Sequence, residues 1–251
     1  MTSWTRVTHR SLIMKSSTRL VVVTAVISAA SAGNACAPAS MRAPSPAPAP
    51  GEAATPLPRS TASYDSLLAR LRAGDLMIDY LSLRLAYAET PEYAPYDSRI
   101  ESKTAMRKAL TASDCRTALN VADSILATNY VDIEAHIVSA ECMNRLGDHA
   151  NANHHGTVAR GLLESIRSYA SGRTPDSAIV VIDIDEEYML LATQGLERTT
   201  QALSTCGGHP CDVIHAVDRR SGKTQPLYFN VGIPFGSFGR AMRKDTTART
   251  P

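Results

Sequence analysis

The sequence predicts an α+β protein in which tetratricopeptide-like helical hairpins pack against a small antiparallel sheet. Three observations carry this. First, the stretch from Ser113 to Ile166 partly repeats itself at an offset of 34 residues: Ser113-Asp114 returns as Gly147-Asp148, Ala118 as Ala152, Ala122 as Gly156 and Ile125 as Ala159. Small residues at that period let two helices approach closely, as in a tetratricopeptide-type hairpin. Second, the pattern changes after Ser171-Gly172 to β-branched and alternating runs. Third, the last long helix carries two neighbouring apolar stripes, His155, Val158, Leu162, Ile166 and Ala152, Gly156, Ala159, Leu163. A helix with two such stripes is contacted from two sides, by its partner helix and by the sheet that follows.

The chain has 251 residues and a formal net charge of +2, so its charge balance calls for neither nucleic acid nor an anionic membrane as partner. Residues 1–36 read as an export signal. Arg6, Arg10, Lys15 and Arg19 form a basic flank, Leu20 to Ile27 an apolar core, and Ser28 to Ala32 a small-residue end. Met14-Lys15 makes a more compact start than Met1. Two processing sites fit: cleavage after Ala30-Ser31-Ala32, or lipidation of Cys36 within Gly33-Asn34-Ala35-Cys36, which departs from a lipoprotein box at Gly33 and Asn34. The Pro/Ala-rich run over 37–62 favours the lipoprotein, because it has no helical or strand period and suits an extended tether. Residues 63–240 then form one domain, helical over 63–170 and sheet-rich over 178–232, before a frayed tail at 241–251.

Within the domain, Tyr64, Leu67, Leu68 and Leu71 mark a first amphipathic helix ending near Gly74. Asp79 caps a second, with Ile78, Leu81 and Leu85 on one side, which stops before Pro91. A third runs from about Ser98 to Thr111. Asp114, Asp132 and Asp148 cap the next three, the last reaching about Ser168. Ala178–Ile184 reads as a strand, Asp185-Glu186-Glu187-Tyr188 opens a short helix closed by Gly195, and strands follow at Leu196–Ser204, Asp212–Asp218 and Thr224–Val231. Arg220-Ser221-Gly222-Lys223 is a hairpin turn by composition.

Lipidation of Cys36 leaves four cysteines, an even number suited to an oxidising compartment. Cys206 and Cys211 flank a turn-rich loop and are the better disulfide pair, two free thiols being the blander reading; Cys115–Cys142 requires adjacent helices in register and stays open.

Leu83-Arg84-x-x-Tyr87, Tyr93-x-Pro95-Tyr96, Gly161-Leu162-Leu163-x-Ser165-Ile166, Glu186-Glu187-Tyr188-x-x-Leu191-x-x-x-Gly195, Asp212-Val213 and Leu227-Tyr228-Phe229-Asn230 occur in that order. Together they resemble a bacterial exported domain-of-unknown-function family, over roughly Tyr64 to Phe238. The resemblance implies a tetratricopeptide-like helical front, a small C-terminal antiparallel sheet and an envelope location. It implies no activity.

Arg84, Tyr87, Tyr93 and Tyr96 are the first candidates for a binding surface, since Arg and Tyr give planar contacts at low entropic cost. The blander reading is that the tyrosines staple their loop to the helical layer and Arg84 answers a carboxylate. Glu186 and Glu187 point about 100° apart on a helix and cannot both face one bond; the blander reading is charge complementing the helix dipole. His155 sits on an apolar stripe, where a bonded core histidine outweighs a metal ligand, and its pairing with Glu187 or Asp212 is an expectation for the structure to test. No metal or cofactor motif occurs, and no phosphate loop, nucleophile elbow or nucleic-acid stripe. The sequence therefore points to a non-catalytic, lipid-anchored envelope binding protein with a protein or peptide partner, Arg84, Tyr87, Tyr93, Tyr96, His155 and Glu187 being its binding candidates. The alternative is an envelope hydrolase using Glu186 or Glu187 with His155.

Overall fold

In a computed structural model of the chain, residues 56–96 and 100–237 are described. The export signal, Cys36, most of the tether and the 241–251 tail lie outside them. Six helices come first: α1 (Tyr64–Arg72), α2 (Tyr80–Tyr87), α3 (Ile100–Thr111), α4 (Cys115–Thr128), α5 (Ile133–Arg145) and α6 (His149–Ser168). A mixed layer follows, with β1 (Ile179–Val180), α7 (Ile184–Thr193), β2 (Leu196–Cys206), β3 (His209–Asp218) and β4 (Thr224–Asn230).

The 34-residue repeat is a backbone repeat as well. Ser113 and Gly147 both take positive φ, 59° and 84°. Asp114 N–H donates to the Ala109 carbonyl and Asp148 N–H to that of Met143, each at 2.9 Å, closing α3 and α5 in the same way. Each aspartate then caps the following helix, Asp114 accepting from the Thr117 N–H at 3.1 Å and Asp148 from the Asn151 N–H at 3.2 Å. At Gly156 α6 comes close to α5, where an added Cβ would meet that of Ala140 at 3.9 Å. Of the two apolar stripes of α6, Val158, Leu162 and Ile166 join the main core with Ile179, Val181, Ile214 and Phe229, while the second divides: Gly156 faces α5 and Leu163 packs on the main core too. A second core of Met106, Ala118, Ala122, Ile125, Val138 and Cys142 fills the α3–α4–α5 layer. The hairpin is thus one wall of an α+β domain.

The sheet order is β1-β4-β3-β2. β2, β3 and β4 pair antiparallel, but β1 runs parallel to β4, with Ile179 opposite Phe229 and Val180 opposite Asn230. The expectation of an antiparallel sheet is corrected at that one edge. The strand expected over Ala178–Ile184 also shrinks to two residues, because side chains capture the backbone beyond it. The Ile182 N–H donates to Glu186 Oε2 at 2.9 Å, and the Ile182 carbonyl accepts from the Tyr93 hydroxyl at 2.5 Å. Asp183 rather than Asp185 is then the cap of α7, accepting from the Asp185 N–H at 3.0 Å. β2 and β3 extend past the expected loop to a tight turn at Gly207-Gly208, where both glycines have positive φ. Cys206–Cys211 and Cys115–Cys142 are both placed as disulfide pairs, with Cα atoms 5.5 and 5.1 Å apart.

Candidate functional site

Arg84 belongs to α2, and the helix carries it inward: its side chain is 1% exposed. Its Nε donates to Glu186 Oε1 at 2.8 Å and its Nη2 to Glu186 Oε2 at 2.6 Å, a two-pronged pair between α2 and the first turn of α7. Nη1 and Nη2 also reach the Ser165 hydroxyl and the Val180 carbonyl, each at 3.4 Å. Tyr87 and Tyr93 are buried beside it, ring centroids 5.7 Å apart and edge to face, with Tyr64 on the far side of Tyr87 at 5.5 Å. Of the four residues expected to make a binding surface, Tyr96 alone is exposed. The stapling arrangement is the one adopted, and the carboxylate that answers Arg84 is not local but 102 residues away.

A second cation enters from α3. Lys103 is buried, with its ammonium 2.8 Å from Asp132 at the cap of α5 and 2.5 Å from Asp185 on α7. Burial opposes its charge, but the two carboxylates outweigh that and hold its pKa above the ordinary value. Arg107, one turn further along α3, pairs with Glu134 at the surface. Sequence reasoning missed Lys103, read Asp183 as part of a strand, and read Asp185 only as a helix start.

These pairs frame a cleft of about 270 Å³ between α3, the start of α5 and the start of α7. Tyr87, Tyr93, Lys103, Asp183, Glu186 and Tyr188 are among its walls. Asp183 differs from the other acids there. One of its oxygens accepts the Asp185 N–H, and no ion pair reaches it among the described residues. Burial, with Asp185 and Glu186 nearby, pushes its pKa up to about 7.

Glu187 is not among the residues that line the cleft. Its residue is 0% exposed, and neither carboxyl oxygen has a hydrogen-bond partner among the described residues. Burial, then the charges of Asp212, Glu186 and Asp183, push its pKa up to about 9, so it is neutral at pH 7. Neighbouring Asp212 accepts from Gln201 Nε2 at 2.7 Å. Both glutamates stand in the first turn of α7, but burial separates them: Glu186 is paired with Arg84, whereas Glu187, neutral and without a partner among the described residues, cannot complement the helix dipole.

His155 does not meet Glu187 or Asp212. Its Nδ1 lies 2.8 Å from Nδ1 of His136 on α5, a residue with no exposure. His136 Nε2 faces the Tyr130 carbonyl at 2.9 Å, so that nitrogen carries the proton. His136 Nδ1 is then an acceptor and His155 Nδ1 its donor. Burial holds the pKa of His136 down at about 3. This is a bonded core histidine pair, and it removes the expected partner from Glu186 and Glu187. Among the described residues no group of three or more His, Cys, Asp or Glu is spaced to hold a metal ion.

No curated protein and no solved structure matches the chain. One family profile, described as a domain of unknown function (DUF4919), matches residues 58–236, a span that holds all the ordered motifs, both cores and the cleft. The chain belongs to the DUF4919 family.

Proposed function

We propose that this protein is an exported, membrane-tethered binding protein without catalytic activity, and that the cleft at the start of α7 receives its ligand or the protruding group of an envelope protein or peptide. The observation that carries this is the construction of the cleft. Its charged walls are fixed in advance by Arg84–Glu186, Lys103–Asp132 and Lys103–Asp185, so little side-chain order remains to be imposed on binding. The hydrolase alternative needs His155 beside Glu186 or Glu187, and His155 is bonded to His136 instead. At about 270 Å³ the cleft falls just below the range of roughly 300–1,000 Å³ usual for drug-sized ligands, which suits a small molecule or a single side chain. The address follows from the signal, Cys36 and the Pro/Ala-rich run, with membrane contact through the lipid alone and no nucleic-acid partner.

The test is a thermal-shift screen of envelope peptides and small metabolites against the mature protein and an Ala192→Trp variant, which fills the cleft from α7. A rise in Tm present in the wild type and lost in the variant supports the reading. A rise kept by the variant moves the site elsewhere, and chemical turnover of the bound compound overturns the non-catalytic assignment. Mass spectrometry of the mature N-terminus tests the anchor: an acylated Cys36 is expected, and an unmodified Gly33 terminus refutes it.

A further inference from the structure

We propose that the cleft selects a protonated amine on a short apolar stem, with the Asp183 carboxylate as its counter-charge and tyrosine walls around the stem. This rests on the cleft being the binding site and adds the class of ligand. Three observations on the cleft lead to it.

The first is charge balance. The described lining holds five carboxyl groups, Asp132, Glu134, Asp183, Asp185 and Glu186, against two cations, Lys103 and Arg107. Adding Arg84 behind Glu186 still leaves the acids in excess.

The second is which charges are already satisfied. Both lining cations are bridged to carboxylates, Lys103 to Asp132 and Asp185, and Arg107 to Glu134. An anionic ligand would have to break one of these pairs before gaining anything. A cation need break none, because Asp183 accepts a single backbone N–H and has no ion pair among the described residues. Its second oxygen has no hydrogen-bond partner among the described residues, and the residue lines the cleft.

The third is the wall. Tyr87, Tyr93 and Tyr188 line the cleft with Val131, Ile133 and Met189. Aromatic and aliphatic surface accepts an alkyl stem, and tyrosine faces add attraction for a cation. The small volume admits one such group.

The groups facing Asp183 set the pH response. Asp185 and Glu186 on α7 oppose its ionisation, as Glu187 does when ionised, Lys103 on α3 favours it, and Tyr93 and Tyr96 stand in the adjoining loop. With its pKa at about 7, Asp183 is half-protonated at neutral pH. An arriving ammonium ion drives it to the carboxylate, so amine binding at pH 7 releases about half a proton.

The experiment is calorimetric titration of the mature protein at pH 7, in two buffers of different ionisation enthalpy, with benzylamine, benzyl alcohol and benzoate. Benzylamine is expected to bind at least tenfold more tightly than the other two, with release of about half a proton. Asp183→Asn keeps the helix cap, since Asn caps as well as Asp. It is expected to lose that tenfold preference and the proton release while still melting cooperatively. Equal binding of amine and alcohol, preference for benzoate, or an unchanged preference in Asp183→Asn overturns the proposal. If alcohol or benzoate binds instead and Ala192→Trp abolishes it, the cleft stands and only the ligand class falls. If no probe responds to Ala192→Trp, the cleft reading falls too. A further arm with N-acetyl-lysine methylamide separates the sources: tighter binding than n-butylamine assigns a lysine side chain of a peptide, and weaker binding a free amine.

Discussion

Arg84 and Glu186 form a buried two-pronged ion pair that ties α2 to the start of α7 across 102 residues, with side-chain exposures of 1% and 6%. The same carboxylate takes the Ile182 N–H, so one side chain fixes both the end of the strand segment and the start of the helix. A pair this dry is held by geometry, since attraction must offset two desolvation penalties.

Removing one partner leaves the other as an uncompensated buried charge. Arg84→Met is expected to lose about 3–5 kcal/mol, whereas the double change Arg84→Met with Glu186→Leu should recover much of that loss. Urea unfolding of the two single variants and the double decides it. A double variant as unstable as Arg84→Met alone would mean the guanidinium acts through Ser165 and Val180 instead.

Glu187 predicts an unusual pH dependence. Its folded pKa of about 9 lies above its ordinary 4.5, so between those values the unfolded chain loses a proton that the folded chain keeps. Stability from this group is therefore full below pH 4.5 and falls as pH rises towards 9, with a loss of about 3 kcal/mol by pH 7. Glu187→Gln cannot ionise. Its stability relative to wild type should match at pH 4.5 and rise steadily up to pH 9; parallel curves would sink the argument. His136 acts on the other limb: with a folded pKa of about 3 against 6.5, its contribution is lost as pH falls below 6.5.

Two glycines of α6 should respond to alanine with opposite signs. At Gly161 a new Cβ would stand 2.4 Å from the Tyr80 ring, which packs α2 onto α6 and whose hydroxyl donates to Leu76. Overpacking of about 1–3 kcal/mol outweighs the helix-propensity gain of about 1 kcal/mol, so Gly161→Ala destabilises. At Gly156 the nearest atom is 3.9 Å away, so the propensity gain stands and Gly156→Ala stabilises by about 0.5–1 kcal/mol. Thermal melts of both variants test the contrast, and equal shifts of one sign would refute it.

The two cysteine pairs close loops of very different length, with sequence separations of 27 and 5. Chain entropy gives about 3.5 kcal/mol for the longer loop and about 2 for the shorter. Replacing Cys115 and Cys142 together by Ala should lower stability more than the same change at Cys206 and Cys211. The reverse order would place the larger role with the hairpin.

The local grammar of this chain was legible without coordinates. Asp79, Asp114, Asp132 and Asp148 cap the helices read from them, because a cap depends on three neighbouring residues. The 34-residue repeat became a matched pair of helix ends at Ser113 and Gly147, because a left-handed residue before an aspartate is also local. The two stripes of α6 foretold a helix contacted on more than one side, but not that α2 packs on it through Tyr80 at Gly161.

What the tertiary structure decided is which charges meet. Arg84 finds Glu186, Lys103 bridges Asp132 and Asp185, and Asp183 has no ion pair among the described residues, all decided across tens of residues of chain. Nothing in a local pattern encodes those distances, so Glu186 and Glu187 read alike as helix-dipole charge until packing separated them, and the partner of core His155 was not legible. Pinning of Ile182 by Glu186 and by distant Tyr93 ends the first strand after two residues. Sequence period assigns a residue to a face; only the packing of α2, α3, α5 and α7 assigns a neighbour to that face, and the cleft is made of such neighbours.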